Sequence, residues 1–233
     1  MKLLVRSPAS RQSLLLRSVL SQIASFDVDP QKTFTPLCPD ELPVADGDAI
    51  VDELNAQARL ADLRVGSRDA HPANPVWLAT HQDELLTPVD SAIAGPNVDV
   101  RWYRHAVVGT RGFELLDGLP HPVEGYDYMV SKGLDPDCHP YGACFHDLND
   151  RVSTGVIEFL RGRGVDRVIV GGLALDYCVV TTVMQLRDAD FQVYLNLAGC
   201  RGIDPQQCEQ ALARMRGAGV VVAADAAELA ALL

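Results

Sequence analysis

Short apolar runs alternate with stretches of helical spacing along most of this chain. The run Val168-Ile169-Val170 is β-branched and reads as a buried strand, and Gly171-Gly172 then lets the backbone turn sharply. Similar runs predict strands at residues 23–28, 63–66, 126–130, 191–195 and 220–223. Between them, Ile50, Val51, Leu54 and Ala58 fall at helical spacing after Gly47, with Asp48 as a candidate cap. Val152, Val156, Phe159 and Leu160 mark a second helix over 148–161. A third begins near Cys178 with Asp176 as its N-cap, a fourth covers 205–216, and a short Ala/Leu-rich helix ends the chain. Strands alternating with helices predict an α/β fold, a doubly wound parallel sheet covered on both faces.

Two stretches depart from that rhythm. Residues 73–122 are irregular and too long for an ordinary connection, and long ordered excursions usually build a site. Residues 1–25 hold Lys2, Arg6, Arg11 and Arg17, several serines and no acid, a composition that can mimic a transit peptide. The leucines at 14, 15, 16 and 20 equally suit a short helix packed on the domain. We read 1–25 as a packed or partly mobile N-terminal extension and 26–233 as one domain.

Composition narrows the class. A chain of 233 residues with 48% hydrophobic positions can bury a sizeable core. Its net charge of −11 argues against nucleic acid, and no apolar run reaches membrane-spanning length. Cysteines 38, 138, 144, 178, 200 and 208 are irregularly spaced without a CxxC pair, which suits reduced thiols in a cytoplasmic protein. These totals leave a homo-oligomer open.

The candidate chemistry clusters at predicted strand ends, where ligands bind in such sheets. Asp29, Asp69 with His71, Lys132 and Cys178 each follow a strand. A thiol at the first turn of a helix feels the positive end of its field, which favours thiolate. Taken alone, Cys178 reads first as a small apolar residue at a strand-to-helix junction. Asp29 can serve as general base and then acid, and Lys132 adds positive field for both. Asp69 and His71, one residue apart on an extended segment, can share a metal, with His105 or His81 as a third donor. One carboxylate and two imidazoles suit zinc, with iron and manganese as alternatives. Phe34, Trp102 and Tyr141 are candidates for an aromatic slot or for ordinary core. Gly171-Gly172 lacks the spacing of a dinucleotide-binding turn.

Together these blocks resemble one family, the nicotinamidases (pyrazinamidases) of the isochorismatase-like cysteine hydrolases. Asp29-Pro30-Gln31-Lys32-Thr33-Phe34 resembles the family's D-x-Q-x-x-F start, and Ser67-Arg68-Asp69-Ala70-His71-Pro72 its RDWHP metal segment. Trp102-Tyr103-Arg104-His105 with Val108-Gly109-Thr110 is similar to WPxHC-V-x-GT. Lys132-Gly133, Asp135-Pro136-Asp137 and Tyr141 match K-G-x-D-P-D and its downstream tyrosine, and the stretch 172–179 is nearly GLATDYCV. The resemblance spans about 26–190. It departs at Ala106, where a cysteine is usual, and at Ala70, where a tryptophan is usual.

The resemblance implies a six-stranded parallel sheet, a triad of Cys178, Asp29 and Lys132, and Asp69, His71 and His105 as metal ligands in preference to His81. It implies a cis peptide bond between Leu173 and Ala174, with the N–H groups of Ala174 and Cys178 facing a substrate oxygen. The activity implied is hydrolysis of nicotinamide to nicotinate and ammonia in pyridine nucleotide salvage, with pyrazinamide as a further substrate and Phe34, Trp102 and Tyr141 around the ring. Two alternatives are an amidase of the same superfamily acting on an N-carbamoyl or ureido compound, and a non-catalytic ligand-binding module on this fold.

Overall fold

A computed structural model describes residues 21–233. Most of the expected N-terminal extension, residues 1–20, lies outside the described residues. The described residues form one six-stranded, wholly parallel sheet. Its strands are β1 (Gln22–Val28), β2 (Leu63–Asp69), β3 (Tyr128–Lys132), β4 (Val165–Leu173), β5 (Gln192–Arg201) and β6 (Val221–Ala223), in the order β3-β2-β1-β4-β5-β6. Chain order reverses at β1, between β2 and β4, so the ligand crevice is expected beyond the carboxyl ends of those strands.

Helices cover both faces, which is why the central strands are apolar runs and do not alternate. On one face α1 (Val51–Ala58) packs over β1, β4 and β5, while α5 (Ala226–Leu232) brings Leu229 onto Ile169, Tyr194 and Ala223. On the other lie α2 (Val156–Gly162), α3 (Val180–Asp188) and α4 (Pro205–Gly217). Their Leu160, Val183, Leu186 and Met215 join Phe26, Val168, Val170 and Leu195 in the main core. Local chemistry sets the helix starts. The carboxylate of Asp204 accepts from the Gln207 N–H at 2.8 Å with Pro205 in the first turn, and Asp225 caps α5 through Glu228 at 2.8 Å.

Several elements differ from expectation for definable reasons. Residues 148–155 stay out of the second helix because the Asp147 carboxylate collects the N–H groups of Asn149, Arg151 and Val152 at 2.8, 3.2 and 2.6 Å. That local ring of bonds competes with a helical ladder, so α2 begins only at Val156. Asp48 is not a cap, since it lies within a 3₁₀ turn (Gly47–Ile50) that leads into α1. The irregular stretch after β2 is ordered by isolated bridges, such as His71 with Val107 and Leu78 with Trp102, and by a small core around Trp77, Val89 and Trp102.

Candidate active site

The sheet brings the strand-end residues to one edge. Asp69 and Lys132 are direct partners in the β2–β3 register, Asp29 follows β1, and Cys178 follows β4. Gly172 makes the last placement feasible. Its φ is +139°, and a Cβ there would fall 2.0 Å from the Val28 carbonyl oxygen, so the backbones of β1 and β4 come together only over a glycine. The chain then passes the Leu173–Ala174 peptide, which is cis as the resemblance implies. A single π turn (Leu175–Val179) carries Cys178 into the crevice before α3 begins. Asp176 does not cap that turn. Its carboxylate instead accepts from the Ile203 and Asp204 N–H groups at 3.0 and 2.9 Å, which holds Ile203 in the cleft wall.

Lys132 is fully buried among acids. Its ammonium is 3.0 Å from Asp29 Oδ2, pairs with Asp69 Oδ1, and lies 3.3 Å from the Pro140 carbonyl and 3.8 Å from Cys178 Sγ. Burial opposes that charge, but Asp29 and Asp69 outweigh it and hold the lysine well above its usual range. One ammonium cannot balance two carboxylates equally. Burial pushes Asp29 up, and Lys132 does not offset it. Asp69 faces the same burial, yet Lys132 holds it well below the usual carboxylate range. The Ser67 hydroxyl donates to Asp29 Oδ1 at 2.6 Å, while Oδ2 accepts no hydrogen bond of good geometry.

The expectation of a resting thiolate is not met. Cys178 is buried, and desolvation raises its thiol well above the ordinary range. Lys132 pulls it down, whereas Asp29 and Asp69 push it up. Both carboxylates arrive from other strands, so the position of the thiol at a helix start does not reveal them.

Beside this group lies an imidazole cluster. The Nδ1 of His71 faces the Gly133 carbonyl at 3.0 Å and that of His105 faces the Tyr103 carbonyl at 2.7 Å. A carbonyl can only accept, so each Nδ1 carries a proton, and in the neutral ring each Nε2 is bare. Those Nε2 atoms lie 3.7 and 3.9 Å from Asp69 Oδ2, and that of His71 has no partner of its own. Burial pushes His105 down to about 3, so it stays neutral. Buried bare nitrogens converging on a carboxylate oxygen fit a metal ion. Gln31 fixes the carboxylate's backbone, accepting from the Asp69 N–H at 2.7 Å and donating to its carbonyl at 2.8 Å. His81 is exposed and takes no part.

Phe34, Trp102 and Tyr141 line the cleft leading to Cys178, with Ala174 and Tyr177. Trp102 donates its indole N–H to the Tyr141 hydroxyl at 3.2 Å, and Tyr141 donates to Asp99 at 2.8 Å. Sequence reasoning missed Ser67 and Gln31, whose roles rest on contacts 38 residues distant. It also missed His139, a third buried imidazole beside His71 and His105, which lies between the Asp135-Pro136-Asp137 motif and Tyr141.

The model of the isochorismatase domain matches residues 27–227. A nicotinamidase from Acinetobacter baylyi is 31% identical over 177 residues, covering 76% of this chain and 80% of the relative. Two solved structures share the architecture. PnC1 from L. infantum in complex with nicotinate has a TM-score of 0.73 at 27% identity, covering 87% of this chain and 92% of that one. The pyrazinamidase of Pyrococcus horikoshii in complex with zinc has a TM-score of 0.67 at 31% identity, covering 87% and 98%.

Proposed function

The chain belongs to the isochorismatase family, and from that premise we propose that it hydrolyses nicotinamide to nicotinate and ammonia through a thioester on Cys178. The observation that carries this reading is the juxtaposition at one sheet edge of a thiol, a carboxyl group and a buried ammonium with a separate set of bare imidazole nitrogens. The nicotinamidase relatives and the nicotinate complex support the substrate.

In the resting site Cys178 is a thiol. Asp29 takes its proton as Sγ attacks the carboxamide carbon, and Lys132, 3.8 Å from the sulfur, steadies the growing negative charge. The N–H groups of Ala174 and Cys178 receive the oxyanion. Asp29 then delivers the proton to the departing nitrogen, ammonia leaves, and a thioester remains. Asp29 next takes a proton from water as the water attacks the thioester, and returns it to the sulfur as nicotinate departs. Phe34, Trp102 and Tyr141 hold the ring and keep water away from the thioester until the amine has gone. Asp69, His71 and His105 would hold the metal, for which zinc is the first choice and iron or manganese are alternatives. When bound, that ion supplies a Lewis-acidic anchor for the ring nitrogen.

The catalytic unit in this reading is the domain 26–233. Residues 1–25 are an extension, of which 22–25 enter β1. None of the six cysteines is paired, which suits a cytoplasmic setting, and no helix among the described residues is long and apolar enough to cross a membrane.

Ammonia release from nicotinamide, before and after chelation and beside Cys178→Ala, tests the reading. Turnover that requires both the thiol and the metal supports it. No turnover in metal-replete protein would overturn it and favour an N-carbamoyl or ureido substrate.

A further inference from the structure

The metal reading above leaves His139 without a role, and its surroundings are hard to explain otherwise. The ring is 4% exposed, and neither Nδ1 nor Nε2 has a hydrogen-bond partner among the described residues. A neutral imidazole carries one N–H and one lone pair, and leaving both buried and unsatisfied is costly. If the ring merely packed, a phenylalanine would do so without that cost. One ring nitrogen from each of His71, His105 and His139 lies within 4.8 Å of those of the other two. His139 stacks on His71 at 5.3 Å between centroids and 16° between planes, and meets His105 edge-on at 5.6 Å.

The backbone holds His139 there. Its N–H donates to the Asn97 carbonyl at 2.8 Å, and the carbonyl of the next residue, Pro140, receives Lys132 at 3.3 Å. The loop that closes over the lysine therefore also delivers the imidazole. Two neighbouring histidines already turn bare nitrogens toward a common centre, and His139 is the next nitrogen donor at that centre.

We propose that His139 is a fourth protein ligand of the metal held by Asp69, His71 and His105. The proposal rests on the metal reading of the preceding section and adds a donor to it. Four protein donors complete a tetrahedral zinc site, so a substrate nitrogen can join only at an ion that accepts a fifth or sixth donor.

The deciding measurement on the wild-type protein is X-ray absorption of the zinc-loaded form, which counts imidazole ligands. Three are expected, and two would overturn the proposal. Cobalt(II) titration of wild type, His139→Phe and His71→Ala gives a second readout. His139→Phe keeps a ring in place and removes both nitrogens. It should lower cobalt affinity by more than the roughly 10–100-fold that loss of an outer-shell partner costs, with a shifted visible spectrum. If His71→Ala loses cobalt while His139→Phe binds it with wild-type affinity and spectrum, His139 is only a wall of the cleft and the three-donor reading survives. If wild type itself binds no cobalt, both readings fall together.

Discussion

Gly133 and His71 are in contact in two ways. The glycine carbonyl accepts from the His71 Nδ1–H at 3.0 Å, and a Cβ on the same glycine would fall 2.4 Å from the imidazole Cε1. With φ at +80°, the position also favours glycine conformationally. One residue after Lys132, it sets both the tautomer and the position of a proposed metal ligand.

Gly133→Ala should therefore act on the metal before it acts on the thiol chemistry. Metal affinity is expected to fall roughly 10–100-fold, the range for loss of an outer-shell partner, with activity restored by excess ion. Isothermal titration with zinc checks this. Unchanged affinity would show that His71 is held by other contacts.

Asp29→Asn separates proton transfer from structure. Asp29 sits at φ 44°, a left-handed conformation that asparagine also tolerates, so the fold should persist. With the proton carrier gone, kcat should drop roughly a hundred- to ten-thousand-fold. Metal content should stay at the wild-type level, because Asp29 is outside the proposed donor set. Steady-state kinetics and metal analysis on the same preparation check both halves.

Tyr141→Phe removes the hydroxyl that accepts from Trp102 and donates to Asp99. The tryptophan would lose its anchor while the reacting groups remain untouched. KM for nicotinamide should rise by about fivefold, equivalent to about 1 kcal/mol for one hydrogen bond, with kcat little changed. A fall in kcat at constant KM would contradict the proposed positioning of the ring.

Away from the site, Asp27 is buried against Arg64, which lies 2.7 Å away, and accepts from Tyr126 at 2.9 Å. Burial pushes its carboxyl up despite the pull of Arg64, Tyr126 and Gln57. The folded pKa is above the unfolded one, so this group's stability contribution is full below the unfolded pKa and is lost as pH rises through the folded pKa. Arg64→Met should cost about 3 kcal/mol at pH 7 by stranding a buried carboxylate. The deficit should narrow toward pH 5 as Asp27 protonates in the fold. Denaturant unfolding at both pH values checks the sign.

The sequence by itself determined the alternation of strands and helices, because burial on both faces writes each central strand as an apolar run. It also determined that Asp29, Asp69, Lys132 and Cys178 end or follow strands, and a parallel sheet puts such ends on one edge. Short-range signals were less dependable where a side chain had a competing partner. Asp147 took three backbone N–H groups that a helix would have used, and Asp176 turned from its expected cap to the 203–204 backbone.

Only the tertiary structure decided the protonation of the site and the company of the metal donors. Whether Cys178 rests as thiol or thiolate depends on the sum of burial and charges from three other strands, and no local pattern encodes that sum. His139 likewise sits in a loop whose path is set by Asn97, distant in the chain, and by Lys132. Electrostatic and coordination energies depend on distance in space, whereas strand and helix patterns depend on spacing along the chain. The fold was therefore legible in the residues, and the state of its chemistry was not.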